Sequence, residues 1–253
     1  MNVEIIYDAK AVLGEGPAWS ANMQTLYWVD ILEKKIYADT ELFAELDDFI
    51  GCVAPCKNGH MIVGKRASVI DFEPATSQQT TLYTLTESAN TRVNDGKCDP
   101  AGRFIFGTMD MNEKESKGSL YAWDGKQVNP LIRGVTISNG LAWSPNHKIL
   151  YYIDTPTRQV KAYDYDVKTG QIANMRVVIN VPKSLGWPDG MTSDMQGNLW
   201  VAMWGGAQVT KWNPNTGDLL VANFCACFTT NFLCVWRKKY ERIIYHICSA
   251  WHE

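Results

Sequence analysis

Ser138-Asn139-Gly140-Leu141-Ala142-Trp143 sets an Asn and a Gly ahead of an apolar run that ends in an aromatic ring. Three further segments share the plan: Leu13-Gly14-Glu15-Gly16-Pro17, Asn94-Asp95-Gly96-Lys97-Cys98-Asp99 and Pro188-Asp189-Gly190-Met191. Each reads as a Gly-containing turn with a carboxylate or Asn, leading into a strand. A repeated plan implies a repeated supersecondary unit, and in a ring of such units equivalent turns point at one axis. Glu15, Asn94, Asn139 and Asp189 are therefore expected to converge on a single oxygen-rich site.

Working outward, apolar runs rich in β-branched and aromatic residues recur at Thr25-Leu26-Tyr27-Trp28-Val29, His60-Met61-Ile62-Val63, Phe104-Ile105-Phe106, Ile149-Leu150-Tyr151-Tyr152-Ile153 and Leu199-Trp200-Val201-Ala202. Their spacing, about forty residues, is that of a four-stranded propeller blade. Turn signals such as Lys57-Asn58-Gly59, Ser144-Pro145-Asn146 and Met195-Gln196-Gly197-Asn198 flank them. Gln159-Val160-Lys161-Ala162-Tyr163-Asp164-Tyr165 alternates as a half-buried outer strand does. Five blades are countable in this way, and helical periodicity is not sustained over any useful length.

The chain has 253 residues and a formal charge of -3, with Lys and Arg scattered. Such a length suits one all-β domain, and the lack of a basic field excludes nucleic acid and acidic membranes as expected partners. No apolar run approaches the roughly 20 residues that span a bilayer. Met1-Asn2-Val3-Glu4 lacks the basic and apolar regions of a signal peptide, so a cytoplasmic setting is expected. Of seven cysteines, Cys225, Cys227, Cys234 and Cys248 crowd the tail. Cys52 and Cys56 read as reduced thiols in or near a strand, since no second Cys or His pair accompanies them. The histidines form no cluster for zinc or triad chemistry, and Ser138 lacks a Gly-x-Ser-x-Gly elbow. The ten Trp, Trp204 included, read as inter-blade packing.

These motifs resemble the family of gluconolactonase, senescence marker protein (regucalcin) and luciferin-regenerating enzyme. The matching stretches include Leu13-Gly14-Glu15-Gly16-Pro17-Ala18-Trp19, the run from Arg92-Val93-Asn94-Asp95-Gly96 to Arg103, Ile137-Ser138-Asn139-Gly140-Leu141-Ala142-Trp143 and Pro188-Asp189-Gly190-Met191. The resemblance implies an all-β, six-bladed β-propeller whose last blade is incomplete or altered, with the propeller at 1–222 and an atypical tail at 223–253. It also implies that Glu15, Asn139 and Asp189 ligate one divalent cation and that Arg92 and Asn94 contact substrate. A third substrate contact, a Glu in the family, falls at Asn112, which can hydrogen-bond a hydroxyl but carries no charge.

Two carboxylates and an amide oxygen are a hard donor set, suited to Ca²⁺ first, with Mg²⁺, Mn²⁺ or Zn²⁺ as alternatives. Such a cation polarises a lactone carbonyl and activates water, with Asp189 as the candidate base. Arg92 and Asn94 would hold sugar hydroxyls. The expected activity is hydrolysis of a sugar lactone, a small-molecule substrate. The rivals are a related hydrolase of another ester and a calcium-binding regulatory protein of the regucalcin kind. The tail lacks the family's last-blade motif, Thr-Ser-Cys-x-Phe-Gly-Gly-Lys-Asn. A one-base shift of frame across residues 231–251 can restore it, because Trp236 must shift to Gly and Lys238 to Lys or Arg. The residues after about Asn223 are therefore read as a frameshifted sixth blade.

Overall fold

The structure, a computed structural model, describes residues 10–87, 89–224, 232–237 and 242–247. Five four-stranded antiparallel blades follow one another, each with its strands paired in chain order. Blade one comprises β1 (Gly14–Ser20), β2 (Thr25–Asp30), β3 (Lys35–Ala38) and β4 (Glu41–Glu45). Blade two comprises β5 (Ile50–Pro55), β6 (Met61–Lys65), β7 (Ser68–Glu73) and β8 (Gln78–Thr84). Blade three comprises β9 (Thr91–Cys98), β10 (Phe104–Asp110), β11 (Gly118–Trp123) and β12 (Val128–Val135). Blade four comprises β13 (Ser138–Trp143), β14 (Ile149–Asp154), β15 (Gln159–Tyr165) and β16 (Ile172–Asn180), and blade five β17 (Trp187–Ser193), β18 (Leu199–Trp204), β19 (Gln208–Trp212) and β20 (Leu219–Phe224).

The apolar runs of the sequence are the second strands of these blades, covered on both faces. β10 is buried at all seven positions, whereas β8, the last strand of its blade, is exposed over Gln78, Gln79, Thr80 and Thr81. Each fully buried Val, Leu, Ile or Phe adds about 1.5–3 kcal/mol, so the second strands carry much of the stability. In three blades the turn entering the second strand is closed by a side-chain acceptor at its start. Ser20 Oγ accepts from the Met23 amide, Ser144 Oγ from the Ile149 amide, and an Asp194 oxygen from the Gln196 amide.

The described residues form two compact units. One is Ala11–Cys98 with Gly102–Ser138, and it holds blades one to three; the other holds residues 99–101 and the chain from Asn139 on. In the first unit β1 lies beside β5 and β5 beside β9. Val29, Ile36, Ile50, Val63 and Phe72 pack between its first two blades, and Cys52, Ile62, Val93, Phe104 and Phe106 between the next two. In the second unit Tyr151, Ile153, Val160, Met191, Val201 and Met203 join blades four and five.

Two expectations are corrected. The β-propeller class holds, but the structure has five blades rather than six: after β20 it describes only a two-stranded sheet, β21 (Phe232–Arg237) with β22 (Arg242–Ile247). The stretch lacks the Asn-Gly and Asp-Gly signals that separate strands elsewhere, and two six-residue strands do not make a four-stranded sheet. Most of the proposed frameshifted segment, including 225–231 and 248–253, lies outside the described residues.

The second correction concerns the four motifs, which are not turns. They lie on the first strands of their blades, three of them at β-bulges. Gly16-Pro17 stand opposite Trp28, Asn94-Asp95 opposite Gly107 and Asp189-Gly190 opposite Ala202, two residues facing one in each pair. A bulge bends the strand and re-aims its side chains, which is why Gly, Asn and Asp gather there.

Candidate functional site

In the second unit Asn139 and Asp189 are both buried, at 8% and 5% exposure. Asn139 is the second residue of β13, and Asp189 the first residue of the β17 bulge. Gly140 makes their approach close. It holds φ +22°, and a Cβ there would lie 2.7 Å from the Asp189 carbonyl oxygen and 2.6 Å from Ile153 Cδ1. A short 3-10 turn, Thr155–Thr157, ties the two together. Asn139 Nδ2 donates to Thr155 Oγ1 at 2.9 Å, and Thr155 Oγ1 donates to the Pro188 carbonyl at 2.8 Å.

The relay sets the amide orientation. A carbonyl oxygen only accepts, so the single hydroxyl proton of Thr155 goes to Pro188, and Thr155 can then only accept from Asn139. The Asn139 NH₂ must face Thr155, which turns Oδ1 the other way as an acceptor. An oriented amide oxygen and a buried carboxylate in one unit are the donor chemistry of a hard divalent cation, so these residues fit such an ion.

In the first unit Glu15 is half-buried on β1, one position before the bulge and opposite Val29. Its place in the repeat is thus offset by one from Asn94 and Asp189, the first residues of their bulges. Arg92 and Asn94 are half-buried on β9: Arg92 Nη1 donates to the Val93 carbonyl at 3.1 Å, and Asn94 Nδ2 to the Ser138 carbonyl at 2.9 Å. The β5 backbone presses on this bulge, since a Cβ on Gly51 would lie 2.4 Å from the Val93 oxygen and 2.5 Å from the Asn94 oxygen. Asp95 completes the bulge, and burial pushes its carboxyl above the ordinary range. Asn112 is exposed in the turn after β10. That turn is held by Asp110, whose carboxylate accepts from the Glu115, Lys114 and Asn90 nitrogens.

The profile of the SMP-30/Gluconolactonase/LRE-like region matches residues 13–233, the span that contains every one of these first strands. The chain belongs to this family. A regucalcin of Danio rerio is 36% identical over 261 residues, covering 99% of this chain and 87% of the relative. Among solved structures, a luciferin-regenerating enzyme superposes with a TM-score of 0.82 at 30% identity, over 89% of this chain and 80% of that one. A calcium-binding protein, regucalcin, from Agrobacterium tumefaciens gives 0.85 at 23% identity, over 91% and 80%, a likeness of fold.

Within the SMP-30/gluconolactonase family frame, several local features were not readable from sequence. Thr155 left no signal, because its role arises where β13, the 155–157 turn and β17 meet. Trp187 and Trp204 are 37% and 47% exposed, so Trp204 does not pack between blades as expected. Cys52 and Cys56 are free thiols, as read, the first buried and the second half-buried, and burial raises both thiol pKa values. Ser138 is buried at 1% exposure and pressed against Gly107, where a Cβ would come within 1.7 Å of its Oγ. Among the described residues no three His, Cys, Asp or Glu side chains gather as a metal group. No helix of the described residues is long and apolar enough to cross a membrane.

Proposed function

We propose that this chain is a divalent-cation-dependent hydrolase of a sugar lactone. Asn139 and Asp189 are ligands, with Glu15 carried over from the family motif. Arg92, Asn94 and Asn112 are the substrate contacts, on the same ground. The observation that carries the reading is the relay from Asn139 through Thr155 to the Pro188 carbonyl, beside buried Asp189. Family membership supplies the reaction class.

A bound cation, Ca²⁺ by preference for an all-oxygen set, supplies Lewis-acid polarisation of the ester carbonyl. The Asp189 carboxylate accepts a hydrogen bond from the attacking water and takes its proton as the water oxygen bonds to the acyl carbon. The ring C–O bond then breaks, and that proton passes to the departing alkoxide, leaving the open hydroxy acid. Arg92 and Asn94 fix the substrate hydroxyls, so that the carbonyl meets the water in one orientation.

The test is acid release from glucono-1,5-lactone by the full chain, before and after removal of cations with excess chelator and again on adding back Ca²⁺, Mn²⁺ or Zn²⁺. Turnover that disappears with chelator and returns with cation supports the reading. Selective Ca²⁺ binding by a folded chain that turns over no lactone would replace it with a calcium-binding regulatory role, calcium binding being what the solved Agrobacterium tumefaciens regucalcin is named for.

A further inference from the structure

Beside Asp189, the second unit carries an exposed aromatic lip that the reaction above does not use. Trp187 opens β17 two residues before Asp189, and it stands opposite Trp204, the last residue of β18. Directly opposed residues of an antiparallel pair leave the same face of the sheet, so both indoles rise together. Large aromatic surface left in water beside a candidate site is a signature of ligand contact.

Arg158 lies across this lip. Its guanidinium carbon is 3.7 Å from the centroid of the Trp187 ring, and its Nη1 donates to the Gly186 carbonyl at 2.7 Å. Arg158 holds a left-handed φ of 55° directly after the 155–157 turn, so the turn that orients Asn139 also aims this cation. The backbone is pinned underneath, because a Cβ on Gly206 would lie 2.0 Å from the Leu185 carbonyl oxygen. Among the described residues, none of the ion pairs includes Arg158. A guanidinium has five N–H donors in a planar fork that matches carboxylate and phosphate oxygens. A pre-aimed fork with no carboxylate partner among the described residues, stacked on an exposed indole, suits an incoming anion.

We infer that Arg158, Trp187 and Trp204 form a recognition site for an anionic group, carboxylate or phosphate, borne by the lactone away from its scissile ester. The α-carbons of Trp187 and Asp189 are roughly 6–7 Å apart along the strand, so one ligand can touch both. Trp204 offers an open face for the sugar, and Arg158 takes the charge. This inference rests on the lactonase reading for the identity of the ligand, and its test is arranged so that the two can fail separately.

The value of kcat/KM is measured for the full chain on glucono-1,5-lactone, its 6-phosphate and glucarolactone, with wild type, Arg158→Gln and Trp204→Ala. In parallel, calorimetry measures the affinity of gluconate and of 6-phosphogluconate, which needs no turnover. The expected result is a preference of about tenfold for an anionic lactone over the neutral one, the scale of one charge-assisted hydrogen bond. That ratio falls close to one in Arg158→Gln, and raising salt from 0.05 to 0.5 M erodes it in wild type without any variant. Preference for the 6-phosphate alone assigns phosphate; preference for both anionic lactones assigns anionic oxygens in general. Equal ratios in wild type and Arg158→Gln, or a salt-independent ratio, overturn the inference while leaving the lactonase reading intact. If no lactone is hydrolysed, calorimetry decides: tighter binding of 6-phosphogluconate, lost in Arg158→Gln, sustains the anion site, and equal affinities remove it.

Discussion

At Thr155 a single hydroxyl does two jobs, accepting from Asn139 and donating to the carbonyl that precedes Asp189. Thr155→Val keeps the shape and removes both of these buried bonds. It is expected to lower stability by about 1–3 kcal/mol and to weaken cation binding about tenfold, while Thr155→Ser retains both properties. Thermal midpoints and calorimetric cation titration check this, and unchanged cation affinity in Thr155→Val would remove the relay from the account. Gly140→Ala meets a backbone oxygen and a branched side chain at once. A loss of about 1–3 kcal/mol is expected, together with a fall in lactone kcat/KM, because the strand carrying Asp189 must shift. The sequence exposed Asn139, Asp189 and Gly140 through their motifs. It hid Thr155 and Arg158, whose roles depend on which strands a short turn happens to bridge.

The second strands were legible because burial on both faces leaves a near-continuous apolar run, as in Ile149-Leu150-Tyr151-Tyr152-Ile153. The first strands were read as turns because Gly, Asn and Asp serve both turns and bulges, and only pairing tells them apart: Asp189-Gly190 opposite Ala202 is invisible without β18. The hairpin entering β18 supplies a test at the same scale. Asp194 accepts from the Gln196 and Asn198 amides, from Trp200 Nε1 and from Lys211 Nζ at 2.9 Å. Burial raises its pKa, but Lys211 and the Asn198 donors outweigh it, and the carboxyl is held below the ordinary value. A depressed folded pKa stabilises above the unfolded value, near 4, and that contribution is lost as pH falls through the folded value. Asp194→Asn is therefore expected to lower the thermal midpoint at pH 7, by about 3 kcal/mol in stability, with the gap between the two proteins narrowing as pH falls below about 4. Parallel pH curves would show that the Asp194 charge does not contribute.

For the whole molecule, the five apolar runs sufficed for the propeller class, whereas the blade number was taken from the family resemblance and not from residues in this chain. The strand after Asp218 differs from the other outer strands. Leu219, Leu220 and Val221 are consecutive and 41%, 48% and 38% exposed, where β8 presents Gln78, Gln79, Thr80 and Thr81. An apolar edge strand invites pairing between chains. Leu220→Lys is expected to raise the temperature at which light scattering appears, with the unfolding midpoint shifted by less than about 0.5 kcal/mol in equivalent stability. Unchanged scattering would show that this edge does not drive association. The central claim is that Asn139 and Asp189 hold a divalent cation, and calorimetric titration of Mn²⁺ and Ca²⁺ into the chelator-treated chain tests it most directly, with wild type, Asp189→Asn and Asn139→Ala run side by side. One cation per chain is expected in wild type, with affinity falling at least about tenfold in each variant. Equal affinity in all three folded proteins would contradict the claim.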